Sequence, residues 1–158
     1  MIPTMHYDLS LLNNFVTGLG EAKQYQVKVG ILGSKVNRKD GSKGGTNAEI
    51  GARHEWGSFT ERIPQRSFLR MPLFSKGKQI IELTQKAGRQ QLWEGKMKLF
   101  LQKLGVACEQ IIGEAFASGG YGQWKPLAES TIEMKGHARI LIHTRQLERA
   151  ITSAVVKK

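Results

Sequence analysis

The sequence predicts an α+β domain: a small antiparallel sheet packed against a long helix, with several short helices and a flexible Gly/Lys-rich loop. Three observations predict it. Tyr25, Val27, Val29 and Ile31 alternate with Gln26, Lys28 and Gly30, the period of two of a half-buried strand over 25–32. Trp93, Met97, Phe100, Leu104, Ala107, Ile111 and Ala115 recur at spacings of three and four, so a long amphipathic helix is expected over 89–117. Residues 150–156 read as a second strand, expected to pair with the first. With 158 residues the chain suits one domain, 1–158, comprising an N-terminal helical segment (1–23) and a flexible basic loop (34–46).

The remaining elements follow in order. Residues 8–19 carry Leu9, Leu12, Phe15 or Val16, and Leu19 at helical spacing behind Asp8 as N-cap, with Gly20 as the stop. Gly33 to Gly45 is a loop by composition. Its glycines and lysines suggest a phosphate cradle, but the Walker spacing fails, because Gly44 is followed by Gly45 and Thr46. Gly30 and Gly33 match the clamp of KH domains only in their separation.

Thr46-Asn47-Ala48-Glu49 is a capping box, a hydroxyl for the third amide and a carboxylate reaching back to the cap. A helix of about ten residues follows, with Gly57 as its C′ residue. Ile63 is held extended by Pro64, and Pro72 suits the first turn of a helix that runs to about Lys86, where Gly88 weakens it. Arg66 and Arg70 stand four apart and are expected to point outward.

On the long helix, Leu92, Leu99 and Val106 make a second apolar line roughly 120° from the main stripe. A helix with two apolar lines packs against two things, and a neighbouring subunit or its own domain can supply the second. Gly95, Gly105 and Gly113 each lower its propensity by roughly 1 kcal/mol relative to Ala. Further on, Trp124-Lys125-Pro126-Leu127 opens a short helix that Gly136 stops, and Thr144 caps a turn carrying Arg145, Leu147 and Arg149.

Charge narrows the function. The net charge is +11, and residues 62–103 hold ten basic side chains against Glu82 and Glu94. A polyanion or an acidic protein surface is the expected neighbour. Lys35, Arg38, Lys39 and Lys43 of the basic loop are the candidate contacts to DNA or to such a partner. The lone Cys108 excludes an intramolecular disulfide and reads as a small core residue. No apolar run is long enough to span a bilayer, and MIPTMHYDLS lacks the features of a signal peptide, so a soluble protein of a reducing compartment is expected.

Catalysis finds little support. His54-Glu55 lacks the second histidine of a zincin, since position 58 is Ser, and His6, His137 and His143 show no ligand spacing with His54. Neither a Ser–His–Asp order nor a metal-holding carboxylate set emerges, so no enzyme activity, cofactor or metal is expected.

Two stretches resemble a known family. Ala48 to Phe74, with His-Glu-Trp-Gly, Ile-Pro, Arg-Ser-Phe-Leu-Arg and Met-Pro-Leu, resembles a motif of tailed-bacteriophage neck and tail-completion proteins. Trp124-Lys125-Pro126-Leu127, Thr131, Lys135-Gly136, Ile140-Leu141, Thr144, Leu147 and Ile151 resemble the pattern of phage virion-morphogenesis proteins. The likeness covers roughly 25–156. Met71 interrupts the family's Phe-Leu-Arg-Pro, and Arg145 stands where the family commonly has Gly.

The resemblance implies a non-enzymatic virion protein at the head–tail junction, assembled in the host cytoplasm. It would act in tail completion or head–tail joining, as a homo-oligomeric ring that is often sixfold. Its partners would be tail-tube and connector proteins, with DNA passing through the lumen. The structural motif would comprise Glu55, Trp56, Gly57, Pro64, Phe68, Leu69, Trp124, Pro126 and Leu127, and Arg66, Arg70, Leu92, Leu99 and Val106 would be interface candidates. The alternative is a free-standing basic nucleic-acid-binding module.

Overall fold

A computed structural model describes residues 8–37 and 45–158. Its architecture is the predicted α+β one, a two-stranded antiparallel sheet against a long helix with several short helices. Helix α1 (Ser10–Gln24) runs straight into strand β1 (Tyr25–Ile31), and β2 (Ile151–Lys157) pairs with β1 in a register from Tyr25↔Lys157 to Ile31↔Ile151. Gly20 does not stop α1, which continues to the strand. Asp8 is not the N-cap, which is Leu9 without a side-chain cap, although Asp8 Oδ1 accepts from Ser10 N–H at 2.9 Å one position further out.

A 3₁₀ turn over Gly33–Val36 follows β1, so the first part of the expected loop is ordered. Arg38, Lys39 and Lys43 lie outside the described residues. Helix α2 (Asn47–Trp56) has both halves of the predicted capping box, Glu49 N–H to Thr46 Oγ1 at 3.2 Å and Thr46 N–H to Glu49 Oε2 at 2.7 Å.

The long helix departs from expectation. Helices α3 (Arg70–Ser75) and α4 (Gly77–Leu83), a π turn over Thr84–Gly88 and α5 (Arg89–Trp93) follow one another directly, so Gly88 ends nothing. The break falls instead at Gly95, at φ +70°, where an added Cβ would stand 2.9 Å from the Asn14 carbonyl of α1. Helix α6 (Met97–Ser118) starts beyond it.

The core explains the order of elements. α6 lies across both strands, its Phe100, Cys108, Ile111, Ile112, Ala115 and Phe116 buried. Phe68, Phe116 and Trp124 meet edge to face, with centroids 5.5 and 5.7 Å apart, and Ile142 and Leu147 complete that cluster. Such ring pairs add about 0.5–1.5 kcal/mol each beyond area burial. Helix α7 (Glu129–Lys135) stops at Gly136, as predicted, but starts only after a non-helical stretch, 124–128. Helix α8 (Gln146–Ala150) leads into β2; its N-cap is Arg145, without a side-chain cap, so Thr144 does not play the expected part.

Candidate functional site

The end of α2 and the start of α3 are joined by one carboxylate. Glu55, only 5% exposed, accepts the N–H groups of Phe68 (2.8 Å), Leu69 (2.9 Å) and Arg70 (3.2 Å), the Ser67 hydroxyl (2.7 Å) and the Arg70 Nε (2.8 Å). Burial pushes its pKa up, and hydrogen bonds from Leu69, Ser67 and Arg70 outweigh this and hold it below the usual carboxylate range. The ionised group therefore caps the orphan amides that open α3.

Its neighbours follow from that bond. The Arg70 guanidinium lies 3.6 Å over the ring of the exposed Trp56. Gly57, at φ +78°, turns the chain where a Cβ would press on Gln65 N at 3.0 Å.

Arg66 is not outward-facing, contrary to its sequence reading. It is 6% exposed; its Nε donates to the Lys125 carbonyl (3.0 Å) and its Nη2 to that of Pro126 (3.1 Å). Trp124 Nε1 donates to the Ser67 carbonyl at 3.1 Å in the opposite sense. These bonds clip together the two motif stretches, which lie almost sixty residues apart, so both belong to one site.

Beside the clip opens a cleft of about 820 Å³ between α2, residues 61–66, residues 125–128, α7 and residues 141–147. Pro64, Pro126 and Leu127 contribute to its wall, together with Arg62, Lys125, Lys135, His143 and Arg145. His54 lines it too, with Nδ1 buried and lacking a hydrogen-bond partner. Burial, reinforced by the positive charges of Arg66, Lys135 and Arg53, holds this imidazole down at about 4, so it is neutral at pH 7. Burial and Arg66 likewise pull the Lys135 ammonium below its usual value.

The other candidates scatter. Leu92, on α5, is half-buried against α1, where its carbonyl sits under Gly18. Leu99 and Val106 are 42% and 50% exposed on α6, roughly 170° from the centre of the buried face at 100° per residue. The line of three thus does not survive as one surface. Lys35 is exposed in the 3₁₀ turn, and its carbonyl accepts from Asn47 Nδ2 at 2.9 Å.

The basic cleft is what sequence reasoning missed. Lys125, Lys135 and Arg145 were visible within the second motif, but only the fold turns them toward His54 and Arg62. Among the described residues no group of three His, Cys, Asp or Glu side chains could hold a metal, and no helix is long and apolar enough to cross a membrane. Burial and the charge of Glu109 push the Cys108 thiol up, away from the thiolate a nucleophile needs. The site thus offers charge, concavity and apolar wall: the means of binding. Comparison with family models, curated proteins and solved structures found no match to this chain.

Proposed function

We propose that this chain is a structural virion protein of a tailed phage or prophage, a ring-forming subunit of tail completion or head–tail joining. The observation that supports it best is apolar helix surface left exposed among the described residues. The N-cap Leu9 and Leu12, Val16 and Leu19 of α1 are exposed at spacings of three and four, the repeat of a helix–helix seam, and α6 exposes Leu99 and Val106. Apolar lines on two different helices suit a ring, in which one patch meets a different patch on the next subunit. The motif resemblance gives the kind of assembly, and the +11 charge suits an acidic connector or a DNA-filled lumen.

The test is native mass measurement over a concentration series, for the full chain and for Leu99→Lys. The expected result is a discrete oligomer that Leu99→Lys reduces to a folded monomer. A wild-type monomer binding duplex DNA with steep salt dependence would overturn the reading in favour of a nucleic-acid-binding module.

A further inference from the structure

We infer that the cleft beside the Arg66 clip is a docking site for an acidic peptide segment with apolar side chains, carried by a different polypeptide. The cleft belongs to the single chain and does not depend on the ring reading.

Its size comes first. About 820 Å³ falls within the ~300–1,000 Å³ of typical ligand sites, enough for a short segment and too confined for a duplex. Its charge is one-sided. Arg62, Lys125, Lys135 and Arg145 line it, and the one acid among the described residues of the wall, Glu61, is held by Arg53 at 3.5 Å.

The apolar part of the ligand has its own place. A second depression shares Arg62, Ile63, Pro64 and Lys125 with the cleft and reaches Trp56 and Phe59. Phe59 is 99% exposed at the tip of the hairpin closed by the Ser58↔Ile63 bridge. An aromatic ring held out by a short bridge beside a basic cleft is a ready anchor for apolar side chains. The occupant is not a second copy: no two acids in the 158 residues stand closer than the four-residue spacing of Glu129 and Glu133, so this sequence holds no stretch of closely alternating acids.

The test uses the full chain and a fluorescein-labelled octapeptide alternating Glu and Leu, followed by fluorescence anisotropy. Saturable binding is expected, weakened roughly tenfold by Lys135→Glu, by Arg62→Glu and by Phe59→Ala. Lys78→Glu, the same charge change on the exposed face of α4, should leave it unaltered. Phe59→Ala removes only an exposed ring, so its effect cannot be assigned to misfolding. The proposal is overturned if the Gln-for-Glu peptide binds as well, if Lys78→Glu weakens binding equally, or if nothing saturates below about 1 mM. It is also overturned if a short DNA duplex displaces the peptide and binds more tightly. Mass measurement on the same samples reports assembly separately, so a chain that forms no ring yet binds the peptide leaves this site standing.

Discussion

Glu55 Oε2 accepts the backbone N–H of Phe68 at 2.8 Å, and this bond ties the last turn of α2 to the entry of α3. Because Phe68 is fully buried among Phe116 and its neighbours, the carboxylate positions the core as well as the helix end. The exposed Trp56 and the buried Arg66 clip are then arranged around it.

Replacing this carboxylate should be costly. Glu55→Ala leaves the amides of Phe68, Leu69 and Arg70 and the Ser67 hydroxyl without their acceptor, a loss of roughly 3–5 kcal/mol. Glu55→Gln, which keeps shape but turns a donor toward donors, should lose about 2–3 kcal/mol. Urea unfolding measures both, and a Gln variant as stable as wild type would show that the ionised form is not required.

Acid should destabilise the fold through His54 before it reaches the carboxylates. The imidazole has a folded pKa of about 4 against an ordinary 6.5, so the unfolded chain binds more protons between those values. The sign is therefore a loss of stability as pH falls from 6.5 toward 4, and no contribution above 6.5. The residue is only partly buried, so solvent screening reduces the loss to order 1–2 kcal/mol. Melting temperatures from pH 7 to 5 should fall less steeply in His54→Gln than in wild type. Glu55, held below the usual carboxylate range, is protonated in the folded state only at lower pH, where its contribution is lost in turn.

Arg145 stands at φ +59° and ψ +11°, left-handed backbone that costs a non-glycine residue about 1–2 kcal/mol. Arg145→Gly should raise stability by about 0.5–1 kcal/mol after the greater entropy of the unfolded glycine is counted. At roughly 2–4 °C per kcal/mol this is measurable by calorimetry. The same change removes a cation from the cleft wall, so peptide binding should weaken while the fold strengthens.

Two glycines of α6 should respond in opposite directions. A Cβ on Gly105 would stand 2.5 Å from Ser153 Oγ and 3.1 Å from Val27 Cγ2, forcing α6 off the sheet at about 1–3 kcal/mol. A Cβ on Gly113 meets nothing within 4 Å, so Gly113→Ala should stabilise the monomer by about 1 kcal/mol. Chemical denaturation of the pair checks both signs.

Much of the fold was legible because its signals are local. The Thr46–Glu49 box, the alternation from Tyr25 to Ile31 and the glycine at 136 each act within a few residues, through one hydrogen bond, one pleat or one left-handed turn. The α6 stripe from Met97 onward was equally readable. The helix break was not, since Gly95 sits in a periodic pattern and its turn is set by the close approach of Asn14.

By itself the sequence determined the α+β class, both strands and their pairing, most helices and the two motif stretches. Tertiary structure decided which charged groups belong inside. Arg66 and Arg70 look equivalent four residues apart, yet one is buried on the carbonyls of Lys125 and Pro126 and the other is partly exposed between Glu55 and Trp56. Burying a guanidinium requires acceptors to replace its water, and those acceptors come from chain almost sixty residues away. For that reason the clip and the basic cleft beside it exist only once the chain is folded.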